Sequence, residues 1–266
     1  MDAKVTDDAC TSDEMMTVSA ARMLRNGAIC FVGIGLPSTA ANLARLLHAP
    51  DVVLIYESGP IGAKPDVLPL SIGDGNLAEH ADAVVSTSEI FRYWLQGGRV
   101  DVGFLGAAQL DRFANINTTV IGDYHRPRVR LPGAGGAPEI STCAREVLII
   151  VKQTRKSFVE KVDFVTSPGF LTGGDARFRA GIKTAGPVAV ITDLCILRPD
   201  EDTHELIVAN IHPGVTREQI QQHTGWDVRF RSDCGQTNPP GARELAVLRD
   251  LNARTAVAHG VSEPVA

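Results

Sequence analysis

The chain has 266 residues, 44% of them hydrophobic and 21% charged, with a net charge of -5 at pH 7. That length suits one large α/β domain or two small ones, and the composition is that of an ordinary globule. The acidic balance argues against a dominant nucleic-acid or membrane-surface role, so an acidic substrate would have to be met by local Arg, Lys or backbone N–H groups.

In chain order, residues 1–11 read as a disordered N-terminus. Ser12 can cap a helix from Asp13 to Asn26, with Gly27 as its stop. Ala28 to Val32 is a short apolar strand. Gly33-Ile34-Gly35 forms a tight loop, and Pro37 or Ser38 opens a helix to about Leu47. Asp51 to Tyr56 is the next strand, ending at Glu57. This β-loop-α-β order implies a parallel sheet with right-handed crossovers. Glu89 to Leu95 is amphipathic. Val100 to Leu105, Thr118 to Gly122 and Val147 to Val151 read as β segments, and Glu139 to Arg145 as a helix. Phe158 to Thr166, Val188 to Leu197 and Leu206 to Ile211 read as further strands. Thr216 opens a short helix, and Pro239 to His259 is a terminal one. The expected fold class is α/β, an open mostly parallel sheet flanked by helices. Residues 12–260 are expected to form one domain, followed by a flexible tail at 261–266.

The five cysteines, Cys10, Cys30, Cys143, Cys195 and Cys234, are odd in number and widely spaced, without a C-x-x-C pair. Neither a disulfide framework nor a zinc site is expected. The seven histidines form no metal-ligand spacing. The polar N-terminus has no signal-peptide core, and no apolar run approaches the roughly 18 residues of a membrane span. The expected location is the cytoplasm.

Glu57 carries the most information. It stands where the apolar run Val52-Val53-Leu54-Ile55-Tyr56 meets Ser58-Gly59-Pro60-Ile61-Gly62. A carboxylate at the edge of an α/β sheet is near a low-dielectric interior yet reachable from outside, and ligands bind at that edge. It could serve as general base or as covalent nucleophile, or simply be solvated or ion-paired. Gly33-Ile34-Gly35 is either a tight strand-to-helix turn or an anion site. Ser38 stands where a dinucleotide fingerprint needs its third glycine. Gly133-Ala134-Gly135-Gly136-Ala137 is either a flexible loop or a set of N–H donors for a developing oxyanion. Gly106, Gln109 and Asn117 follow an apolar strand, where small and amide side chains suit a ligand or a turn. The basic run Gly122 to Arg130 could hold a phosphate or second carboxylate, meet another subunit, or be a solvated loop.

Taken in order, Gly33-Ile34-Gly35-Leu36-Pro37, Tyr56-Glu57-Ser58-Gly59, Gly106-Ala107-Ala108-Gln109-Leu110-Asp111, Asn115-Ile116-Asn117, Ile121-Gly122-Asp123-Tyr124, Gly133 to Ala137 and Val165-Thr166-Ser167-Pro168-Gly169 resemble the beta subunit of family I CoA-transferases. One departure is Ala114, where members usually carry glycine in a Gly-Asn-x-Asn turn. The resemblance implies a catalytic Glu57 that becomes a glutamyl-CoA thioester. Gly33, Gly35, Gly135, Gly136, Ala137, Gly106 and Gln109 would serve the oxyanion or coenzyme A. Ser58 and Asn117 would meet substrate. It implies no metal and no resident cofactor, coenzyme A entering as a thioester substrate. It also implies an alpha subunit as heteromeric partner, without which the chain is inactive. The expected reaction moves CoA from succinyl-CoA to 3-oxoadipate, in aromatic-compound degradation. Glutaconate or another dicarboxylate is the alternative acceptor, and an acyl-CoA or ring-cleaving hydrolase the alternative activity.

Overall fold

The structure, a computed structural model, describes residues 10–260. The expected disordered residues 1–9 and the tail 261–266 lie outside the described residues. Ten strands form one sheet. In chain order they are β1 (Ile29–Phe31), β2 (Val53–Ile55), β3 (Pro60–Ile61), β4 (Ala83–Val84), β5 (Val102–Leu105), β10 (Glu146–Ile150), β11 (Gly186–Ile191), β12 (Cys195–Pro199), β13 (Leu206–Ile211) and β14 (Phe230–Gln236). Two hairpins fall between β5 and β10: β6 (Gln109–Leu110) with β7 (Ile116–Asn117), and β8 (Val120–Gly122) with β9 (Pro127–Arg130).

Across the sheet the order is β14-β13-β12-β11-β10-β5-β1-β2-β3-β4. The block β11-β10-β5-β1-β2 is parallel throughout, and antiparallel pairs join it at both ends. Parallel strands are covered on both faces, which explains why β5 and β10 read as continuous apolar runs. Alternation divides the side chains between two cores. Cys30, Val32, Leu54 and Tyr56 pack with α1 (Ser12–Ala21), α2 (Leu36–Leu47) and Leu248 of the terminal helix Ala242–Ala258. Phe31, Ile55, Val147 and Ile149 pack on the opposite face, with Ile90 and Ile140. Residue 57 follows the parity of Phe31 and Ile55, which directs its side chain toward that second face.

Several boundaries differ from expectation. Thr11, expected in the disordered segment, is the N-cap of α1, and its side chain and that of Glu14 close a capping box. The helix ends at Ala21 rather than Asn26, and Gly27 takes φ 75 five residues beyond the C-cap Arg22. Val188 to Leu197 is a hairpin rather than one strand. Thr192 Oγ1 accepts the N–H groups of Leu194 and Cys195 and so folds the turn between β11 and β12. Phe158 to Thr166 forms no strand. Only isolated bridges remain, from Phe158 to Leu110 and from Ser167 to Ile116. No helix among the described residues is long and apolar enough to cross a membrane.

Candidate active site

Glu57 sits in a tight turn between β2 and β3. The Gly59 N–H donates to the Tyr56 carbonyl at 3.0 Å, and the Tyr56 N–H donates to the Pro60 carbonyl at 3.1 Å. Glu57 and Ser58 are therefore the two central residues of a β-turn. Gly59 closes it at φ 122, and a Cβ there would fall 2.0 Å from the Val85 carbonyl oxygen. Only glycine satisfies both constraints. Val85 returns its N–H to the Gly59 carbonyl at 3.1 Å, so β4's exit pins the turn from outside. From below, the wholly buried Tyr56 places its hydroxyl 3.0 Å from Ser38 Oγ, and Asn42 Nδ2 donates to the Ser38 carbonyl at 3.0 Å. This network ties the end of β2 to the first turn of α2. Burial pushes the Tyr56 phenol above its ordinary range.

Glu57 is half-buried, and no hydrogen bond or ion pair engages its carboxylate among the described residues. Its neighbour is Gly136, where an added Cβ would lie 3.3 Å from Glu57 Oε2. Gly136 is buried and is the N-cap of the helix Ala137–Cys143, so Ala137 opens that helix. Gly135 takes φ 50. The backbone N–H groups of Gly33, Gly35, Gly135 and Gly136 make no hydrogen bond among the described residues. An uncommitted carboxylate beside uncommitted N–H donors is what acyl chemistry at Glu57 requires.

The other expected residues divide into two groups. Gly33 and Gly35 follow β1, whose Phe31 pairs with Ile55 of β2, so they share the carboxyl edge with Glu57. Gly35, at φ 80, is the N-cap of α2. Gly106 follows β5, the strand on β1's other side. Ser58 is exposed beside Glu57. Gln109 and Asn117, by contrast, are buried and bonded to each other. Asn117 Nδ2 donates to Gln109 Oε1 at 2.7 Å and to the Val120 carbonyl at 2.6 Å. Its Oδ1 accepts from the Thr119 and Val120 N–H groups. Gln109 Nε2 donates to Asp163 Oδ2 at 3.1 Å. Both donors and both acceptor positions of the Asn117 amide are thus engaged by protein.

Sequence reasoning misses Phe91, which is half-buried on a π-helical turn (Ile90–Leu95). A Cβ on Gly136 would sit 2.5 Å from Phe91 Cζ, so this ring lines the site directly behind the glycine. The run from Gly122 to Arg130 forms the β8–β9 hairpin. Arg130 lies 5.1 Å over the Tyr124 ring, which stacks on the exposed Phe164 at 5.4 Å.

A family model, Coenzyme A transferase, matches residues 13–223. The chain is 67% identical over 252 residues to a 3-oxoadipate CoA-transferase subunit of Pseudomonas knackmussii, covering 95% of this chain and 97% of that protein. It is 36% identical over 246 residues to a glutaconate CoA-transferase subunit of Acidaminococcus fermentans, covering 90% and 91%. The crystal structure of glutaconate coenzyme A-transferase from the same organism matches with a TM-score of 0.85 and 33% identity, over 91% of this chain and 94% of that one. The chain belongs to the coenzyme A transferase family.

Proposed function

We propose that this chain is the beta subunit of a heteromeric CoA-transferase that moves CoA from succinyl-CoA to 3-oxoadipate, a step in aromatic-compound breakdown. The observation that carries the reading is the placement of Gly136 against Glu57 Oε2, with the carboxylate and the neighbouring N–H groups both unengaged among the described residues. The 67% identity to a 3-oxoadipate CoA-transferase subunit supports the acceptor.

In this reading a Glu57 oxygen attacks the thioester carbonyl of succinyl-CoA. CoA thiolate leaves, and a mixed anhydride joins Glu57 to the succinyl group. The thiolate then attacks the Glu57 carbonyl carbon, releasing succinate and forming the glutamyl-CoA thioester. The carboxylate of 3-oxoadipate attacks the same carbon and expels CoA thiolate, giving a second anhydride. Attack of thiolate on the oxoadipyl carbonyl forms the product thioester and regenerates Glu57. Bonds made and broken balance at every step, and the thioester energy is conserved. Each step passes through a tetrahedral oxyanion. One well-placed N–H donor is worth about 3 kcal/mol in such a transition state. The donors available here are those of Gly135 and Gly136, with Gly33 and Gly35 on the same sheet edge. Ping-pong kinetics follow from the covalent intermediate.

An open half-site implies a partner. The alpha subunit would cover the carboxyl edge around Glu57 and supply the remaining substrate contacts, and the isolated chain would be inactive. Tyr124, Val129, Phe164 and Val165 are exposed apolar side chains suited to such a contact.

The test is reconstitution with the alpha subunit and assay with succinyl-CoA against a panel of dicarboxylates. The reading expects 3-oxoadipate to be the preferred acceptor, parallel double-reciprocal plots, and no turnover by the isolated chain. Thioester hydrolysis faster than transfer would favour the hydrolase alternative. Preference for glutaconate would move the chain to another substrate class within the family.

A further inference from the structure

Gly136 is a glycine for reasons of space rather than backbone. Its φ of -84 and ψ of 0 lie where other residues can also sit. What excludes a side chain is the crowding on either side. The Cβ position lies 2.5 Å from Phe91 Cζ, 2.8 Å from Phe91 Cε1 and 3.3 Å from Glu57 Oε2. The glycine is held between an aromatic ring and the reactive carboxylate.

The ring is itself firmly placed. Gln96 donates its N–H to the Phe91 carbonyl at 2.8 Å, a five-residue step, and the helix then closes in a Schellman cap, where Gly98 at φ 68 donates to the Leu95 carbonyl at 3.0 Å and Arg99 to the Trp94 carbonyl at 2.9 Å. Helical π turns are rare and recur at functional sites. A capping box between Ser86 and Glu89 fixes the entry to this helix. The Phe91 ring also packs on Phe31, with centroids 5.9 Å apart and planes at 58°. Phe31 is on β1, two residues before Gly33. Phe91 therefore links the end of β1 to the Gly135–Gly136 segment.

We propose that Phe91 is a positioning residue for the reaction at Glu57. Its ring is the stop against which Gly136 rests, and it sets the distance between the Gly135 and Gly136 N–H groups and the oxyanions formed at the carboxylate. The inference rests on the reading of Glu57 as the nucleophile.

The test is a double-mutant cycle in the reconstituted complex, with assembly and Tm measured for every variant. In Gly136→Ala the methyl collides with the ring, and kcat falls by about 10²-fold, the cost of an ångström-scale misplacement, while the KM for acyl-CoA changes little. Phe91→Ala lowers kcat by about tenfold, because the glycine segment loses its stop. In the double variant the methyl occupies the room the ring has left, and kcat recovers at least about tenfold over Gly136→Ala. Phe91→Tyr keeps the packing on Phe31 but places an oxygen on the atom nearest Gly136, and also lowers kcat. Losses that simply multiply in the double variant overturn the inference, as does unchanged kcat in Phe91→Ala or Phe91→Tyr. Activity that falls only in step with assembly or Tm likewise overturns it and leaves the ring a structural residue. Glu57→Gln separates the two readings. If it retains transfer, the nucleophile assignment fails whatever the cycle gives. If it is dead and the cycle multiplies, only the positioning role fails.

Discussion

Two loop regions of this molecule, each following an apolar strand, differ in what their polar groups do. Around Glu57, the carboxylate and the N–H groups of Gly33, Gly35, Gly135 and Gly136 have no protein partner among the described residues. Around Asp111 to Asn117, nearly every polar atom is engaged. Asp111 accepts from the Phe113 and Asn115 N–H groups and from Asn115 Nδ2. Asn115 Oδ1 accepts the N–H groups of Gly169 and Leu171, while its Nδ2 also donates to the Leu171 carbonyl at 2.8 Å. Burial raises the Asp111 carboxyl, and these donors hold it back. Saturated groups fix a fold, whereas unsaturated ones at a sheet edge remain free to meet a ligand.

Substitutions sharpen this contrast. The largest effect belongs to Glu57→Asp. Retracting the carboxylate by one methylene should lower kcat on the order of 10²-fold or more, with an unchanged Tm. Near-normal turnover in that variant would erase the distinction. Asn115→Ala should act in the opposite way. It removes the Nδ2 donor from the buried Asp111 carboxylate and the Leu171 carbonyl, strands the Gly169 and Leu171 N–H groups, and should cost about 3 kcal/mol in denaturant unfolding, while activity per folded complex is kept. Asn117→Ala should cost about 2 kcal/mol with the KM for substrates unmoved. A raised KM at wild-type stability would instead place Asn117 in the substrate site. The smallest effect is a gain. Ala114 has φ 57, the left-handed conformation that glycine adopts without strain. Ala114→Gly should stabilise by about 0.5–1 kcal/mol, read as a higher midpoint of chemical denaturation.

Glu57 is legible in the sequence because an apolar run and a Gly/Pro stretch meet at that residue. The same contrast marks the ends of β1 and β5, where Gly33 and Gly106 lie. The parallel core is legible for a related reason, since strands covered on both faces are continuously apolar. Phe91 is not legible. An aromatic residue on an amphipathic stretch looks like ordinary core, and the π turn that aims its ring leaves no periodic trace over six residues. Phe158 to Thr166 reads as a strand because apolar residues recur there, yet its backbone meets the β6–β7 hairpin only at single bridges. Nor can sequence separate engaged amides from free ones. Asn117 and Gln109 sit beside small residues after a strand, as ligand-binding amides do, and only the fold reveals that they bind each other.

The most direct test is mass spectrometry of the reconstituted complex after incubation with succinyl-CoA alone. The account predicts one CoA per active site, carried as a thioester on the peptide containing Glu57 and released by hydroxylamine or by acceptor acid. Coenzyme A found on another residue, or no covalent adduct in a complex that turns over, would contradict it.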